Sequence, residues 1–163
     1  MKFQFNDGGR NQYTSVPGKH DCVIRAIAIA ANLNYWQAYQ DIQAIAPNIE
    51  SEGVNIHDLN LISYLQSLGF VRVDGITAMQ AIPEGRVIAC TTGHYTAIVN
   101  GVIQDVRNEA HKAVSHYWVR GKTFDVYKNG KKLNGNPLNG DQAVNMHRLY
   151  ALNYDPNVQL KAV

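Results

Sequence analysis

The stretch that most restricts this chain is "HYTAIVNGVIQDV", residues 94–106. Asn100-Gly101 stands between two apolar runs, and Asn-Gly is the pair that best accepts the two left-handed positions of a type I′ hairpin turn. A two-residue turn there pairs Val99 with Val102, Ile98 with Ile103, Ala97 with Gln104 and Thr96 with Asp105. Side chains alternate faces along a strand, so His94, Thr96 and Ile98 share a face with Ile103 and Asp105. His94 and Asp105 become diagonal neighbours, with Cβ atoms about 7–8 Å apart. The register alone puts a carboxylate within reach of an imidazole.

Upstream of the hairpin the apolar period is helical. Residues 22–32 are apolar almost all round, which predicts a central helix buried on most faces, with Asp21 as its N-cap. Arg25 is its only charge and can pair with Asp21 across the first turn. Asn34 predicts the start of a second helix over 35–46, stopped by Pro47. A third is expected over 56–68, capped by Asn55 with Asp58 three residues later, and closed by Gly69. After Gly69 the period changes to two. Strands are expected at 70–74, 86–91, 94–99, 102–106, 115–119 and 147–153, and "FDVYKNGKKL" (124–133) reads as a second, exposed hairpin. Helices first and antiparallel strands after make an α+β fold, with the N-terminal helices packed on a C-terminal antiparallel sheet. "NDGG" (6–9) and "VPGK" (16–19) are turn chemistry.

A length of 163 residues fits one domain. We divide it into an arm over 1–20, a body, and a C-terminal hairpin and strand extension over 121–163. A net charge of +2 does not by itself call for a nucleic-acid or membrane partner. The longest apolar run, Ala26–Ala31, falls far short of the roughly 20 residues of a membrane span. Two cysteines, Cys22 and Cys90, lie far apart, a usage that fits a reducing, cytoplasmic compartment.

Cys22 opens the central helix. Thiolates do the chemistry of cysteine, and a helix N-terminus favours the anion because its unpaired amides and dipole face it. A histidine held by a carboxylate would complete a nucleophile, base and orienter. The backbone amide of Cys22 could contribute to an oxyanion hole. Cys90, mid-strand among apolar residues, reads as core. Tyr95 and Trp118 could flank a cleft.

These residues carry a resemblance. Cys22 at the start of a central helix, His94 beginning a core strand and Asp105 on the next resemble the papain-like cysteine peptidase superfamily. More closely, the chain resembles small papain-like proteins of bacteriophages and prophages. The shared blocks are "DGGR" (Asp7–Arg10), "DCVIRAIAIA" (Asp21–Ala30), "LGF" (Leu68–Phe70), "GHYTAIVNGVIQD" (Gly93–Asp105) and "HYWV" (116–119). The resemblance spans most of residues 6–120. It implies a Cys22-His94-Asp105 triad on a helix-plus-sheet fold, acting on a peptide or protein substrate, and a location in the host cytoplasm if phage-encoded. Many papain-like enzymes place an oxyanion glutamine about six residues before the cysteine. Here that position is Val16, so Gln12 and Asn11, with Ser15 and His20, become the candidates.

The functional expectation is a cysteine hydrolase cleaving peptide, isopeptide or amide bonds. Two rivals stand beside it: transglutaminase- or deamidase-type acyl transfer by the same triad, and an inactive scaffold that binds a host or phage protein. The patch Arg120, Lys122, Lys128, Lys131 and Lys132 reads as a solvated hairpin, and a nucleic-acid role for it is the weakest of the readings. His111 and His116 are five apart, which matches no usual zinc spacing, so neither metal nor cofactor is expected.

Overall fold

The computed structural model describes residues 1–13, 20–151 and 157–163. The fold is α+β. Helix α1 (Cys22–Ala31) is followed by α2 (Tyr35–Ile45), α3 (Ile49–Glu52) and α4 (Leu59–Ser67). Strands β2 (Phe70–Ala78), β3 (Arg86–Thr91), β4 (His94–Val99), β5 (Val102–Asp105) and β6 (Ala113–Arg120) then form most of a sheet. The remaining elements are β7 (Phe124–Lys128), β8 (Lys131–Lys132), α5 (Gly140–Tyr150) and β9 (Val158–Ala162).

The arm expected over 1–20 is not all loop. Lys2–Phe5 is a strand, β1, lying parallel to β5 at the sheet edge. The main sheet is therefore mixed rather than antiparallel throughout, with six strands in the order β1-β5-β4-β3-β6-β2. The signal was present, since Phe3 and Phe5 alternate with Lys2 and Gln4.

Residues Val23 to Ala31 of α1 are all buried. An Ala/Ile sequence allows this, because it has good helix formers and no polar side chain to solvate beyond Arg25. The helix packs on one sheet face against Ile88, Cys90, Tyr95, Ala97 and Trp118. Its last carbonyls are buried and need donors. Arg120 donates to Ala31 O at 2.6 Å and to Leu68 O at 2.9 Å, and Arg86 donates to Ile29 O at 3.0 Å. Arg120 is thus an internal brace and not a member of a basic surface patch.

Asn34 caps α2 as expected, accepting from Trp36 N at 2.8 Å. The third helix differs. Asp58 and not Asn55 is its cap, accepting from Asn60 N at 2.7 Å, so it runs Leu59–Ser67 instead of 56–68. Asn55 accepts from His57 N and closes a turn ahead of the helix. Two short polar side chains competed for the cap, and the nearer won.

The other sheet face is covered by the C-terminal part. Val87, Ala89, Ile98, Ile103, Tyr117 and Val119 pack with Phe124, Val126, Ala143 and Leu160. The second hairpin forms at Asn129-Gly130, both at positive φ. It is not simply exposed: β7 is the middle strand of a sheet in the order β8-β7-β9, and Phe124, Asp125 and Val126 are buried. The strand expected at 147–153 is instead the end of α5 through Tyr150, and residues 152–153 lie outside the described residues. Asn139 and Gln142 form a reciprocal capping box that starts this helix.

Candidate active site

The primary hairpin forms with the predicted register: Val99 pairs with Val102, Ile98 with Ile103 and Ala97 with Gln104. Asn100 and Gly101 sit at φ 51° and 75°, the left-handed geometry that a type I′ turn demands. His94 begins β4 and Asp105 ends β5, so both stand at one end of the sheet. His94 Nε2 lies 2.6 Å from Asp105 Oδ2. The other oxygen of Asp105 accepts from Val106 N at 2.7 Å, which fixes the carboxylate plane.

Cys22, the first residue of α1, is the only one of that helix not buried. Burial opposes its anion. A hydrogen bond with His94, another from the Tyr95 backbone and the charges of His94 and Arg25 outweigh that and hold the thiol below its ordinary value. Burial likewise opposes a charged His94, yet its hydrogen bonds to Asp105 and Cys22 raise it to about 9. Asp105 is held below the usual carboxylate value: burial works against this, but the hydrogen bond and charge of His94 prevail. All three shifts run toward the charged forms, thiolate, imidazolium and carboxylate. With Nε2 engaged by Asp105, Nδ1 is the ring nitrogen left for the sulfur.

Asp21 does not cap α1 through its side chain. Its carboxylate is taken by three other groups. It pairs with Arg25 one turn on, accepts from Tyr35 OH at 2.9 Å and lies 3.5 Å from Arg10 Nε. The expected Asp21–Arg25 pair forms, and the expected cap gives way to it. Arg25 has a second partner that sequence reasoning missed: its Nη2 is 3.6 Å from Asp105 Oδ1. One buried chain therefore runs Asp21, Arg25, Asp105, His94, Cys22.

The "DGGR" block acquires a physical role here. Asp7 accepts from Gly9 N and Asn11 N and holds the turn. Gly8, at φ 70°, packs against the Arg25 backbone and leaves only about 3.4 Å for a Cβ. The turn thereby carries Arg10 to Asp21. Arg10 and Tyr35 are members of the site that the sequence did not mark.

Other candidates fall elsewhere. Gln12 and Asn11 are exposed in a short 3-10 turn (Arg10–Gln12), and neither has a hydrogen bond to Cys22 among the described residues. His20 is exposed beside Gly53. Val16 and Ser15 lie outside the described residues. Tyr95 and Trp118 do not flank a cleft. They are 1% and 0% exposed, packed under α1, with Trp118 Nε1 donating to Tyr95 OH. Both lie on strands of the sheet interior, where the helix covers their side of the sheet. Among the described residues no group of three or more His, Cys, Asp or Glu could hold a metal ion, and no helix is long and apolar enough to cross a membrane. The lysines of the second hairpin are partly neutralised, since Lys132 pairs with Asp125 at 2.8 Å.

Comparison with protein-family models, with curated proteins and with solved structures finds no match to this chain.

Proposed function

We propose that this protein is a papain-like cysteine hydrolase in which Cys22 attacks, His94 transfers protons and Asp105 orients His94. The observation that carries the reading is the 2.6 Å contact between His94 and Asp105, with Cys22 hydrogen-bonded to the same imidazole. A buried chain of charges is costly to assemble.

The chemistry follows from the protonation states. The Cys22 sulfur attacks an amide carbonyl carbon, forming C–S while the carbonyl electron pair moves to oxygen. The Cys22 backbone amide, at the start of α1 where Asp21 makes no side-chain cap, is the donor this reading assigns to that oxyanion. Collapse breaks C–N, and the His94 imidazolium gives its proton to the leaving amine. The neutral ring then takes a proton from water, whose oxygen attacks the thioester. C–S breaks, and the thiolate and imidazolium are restored. An amine in place of that water makes the same steps an acyl transfer.

The test is alkylation of native protein by iodoacetamide across pH, read residue by residue by mass spectrometry, together with turnover of a fluorogenic peptide library. The reading expects Cys22 labelling that persists below pH 7 and weakens in His94→Ala. A Cys22 that titrates as an ordinary thiol overturns it.

A further inference from the structure

We propose that Asp21 and Arg25 are positioning residues that form a charge-balancing pair, with Arg25 steering the Asp105 carboxylate and offsetting the two acidic groups beside Cys22. This rests on the reading of Cys22 and His94 as nucleophile and base.

The argument is one of counting buried charge. With the thiolate formed, the site holds three anions, Asp21, Asp105 and Cys22. Arg25 and the His94 imidazolium are the two buried cations among them, and both carboxylates are at most 3% exposed. Without Arg25, one cation would face three anions at low dielectric, and the thiolate would be the easiest charge to lose by protonation. Arg25 is placed for this duty. Its two terminal nitrogens divide between Asp21 and Asp105, while its Nε is buried with no hydrogen-bond partner among the described residues. A buried N–H left unpaired is a cost that a purely structural brace would avoid.

The groups that face this network come from every element around it. The turn after β1 contributes Arg10, the start of α1 contributes Asp21, Cys22 and Arg25, and α2 contributes Tyr35. From the sheet, β3 contributes Cys90, β4 contributes His94 and Tyr95, and β5 contributes Asp105. Tyr35 stays neutral, since burial and the adjacent Asp21 raise its phenol. Cys90 and Tyr95 are also raised and stay neutral. Arg10 is the outermost cation, and its side chain is 31% exposed and screened by water.

The experiment measures the pH midpoint of Cys22 alkylation in wild type, Asp21→Asn, Arg25→Gln and the double variant. Removing the anion next to the cysteine moves the midpoint down by about half a pH unit, and removing the cation moves it up by about one. The double variant removes one charge of each sign and returns the midpoint toward wild type. A merely structural role predicts the opposite for the double variant, because two lesions would disorder Asp105 more than one. If Arg25→Gln does not fold, Asp21→Asn and the double variant decide. A low wild-type midpoint that Asp21→Asn leaves in place overturns this proposal alone. An ordinary wild-type midpoint overturns the nucleophile reading as well.

Discussion

The chain holds two cysteine–histidine pairs, and they have opposite characters. Cys22 meets His94 where a helix start overhangs the end of the sheet. Cys90 and His116 are cross-strand partners on β3 and β6, inside the sheet. In the first pair the thiol is lowered and the imidazole raised to about 9. In the second, burial pushes the Cys90 thiol up, and burial with the charge of Arg72 pushes His116 down to about 4. His116 has Tyr95 OH and Ser115 Oγ as neighbours and, among the described residues, no carboxylate in hydrogen-bond contact. The same two residue types are shifted toward charge in one place and toward neutrality in the other. Burial opposes charge at both, so the carboxylate beside His94, and the Tyr95 backbone hydrogen bond and Arg25 charge at Cys22, make the difference.

The largest effect should come from removing the first pair. We expect Cys22→Ala to abolish peptide turnover and native alkylation together, and His94→Ala to lower turnover by about 10³-fold or more. Cys90 should stay unlabelled in all three proteins until they are unfolded, as residue-resolved mass spectrometry would read. Labelling of native Cys90 at the rate of Cys22 would erase the contrast.

Asp105→Asn comes next. It keeps the size of the side chain but loses the charge that holds the imidazolium, and turnover should fall by about 10²–10⁴-fold. The His94 titration should retreat from about 9 toward its ordinary 6.5, visible by NMR of the ring protons. An unmoved titration would assign the raised value to Cys22 alone.

The two histidines should also pull stability in different pH ranges. His94 is raised on folding, so its contribution is fully present below about 6.5 and is lost as pH rises through about 9. His116 is depressed, so folding excludes its proton and stability falls as pH drops from about 6.5 through about 4. Denaturant unfolding of wild type against His94→Gln should show a gap that narrows on the alkaline side. The same comparison with His116→Gln should show wild type losing ground on the acid side. Parallel curves in either comparison would contradict the corresponding shift.

The smallest effect is a deliberate blurring of the contrast. Ser115 is exposed, and its Oγ lies 3.1 Å from His116 Nδ1. Ser115→Asp should raise the His116 titration by about one unit, as a nearby carboxylate does. It should leave Cys90 unreactive, because the strand still buries the sulfur.

The hairpin was legible because its signal is local. Asn-Gly dictates the turn, the turn dictates register, and register sets His94 beside Asp105. The first and second helices were legible for a similar reason, an apolar run over 22–32 and an Asn34 cap with a stop at Pro47. The misread places had signals in competition. Asn55 and Asp58 both offered a cap. The short apolar run within 147–153 reads as a strand, yet Asn139 and Gln142, eight and five positions before its start, open a helix that carries through Tyr150. Tyr95 and Trp118 could not be assigned from the chain alone, since alternation tells which residues share a face but not which face a helix will cover.

What the sequence determined by itself was the pair on the hairpin and the placement of a cysteine at the head of an apolar helix. Each depends on dihedral preferences and periodicity within a few residues. What only the tertiary structure decided was the meeting of the two, and the environment around them. The Arg25–Asp105 contact spans 80 positions, and Arg10 reaches Asp21 only because β1 docks on β5 and the Asp7–Gly9 turn folds back over α1. Charge at a buried site depends on every group within a few ångströms, whatever its distance along the chain. That is why the thiols of Cys22 and Cys90, alike as letters, shift in opposite directions.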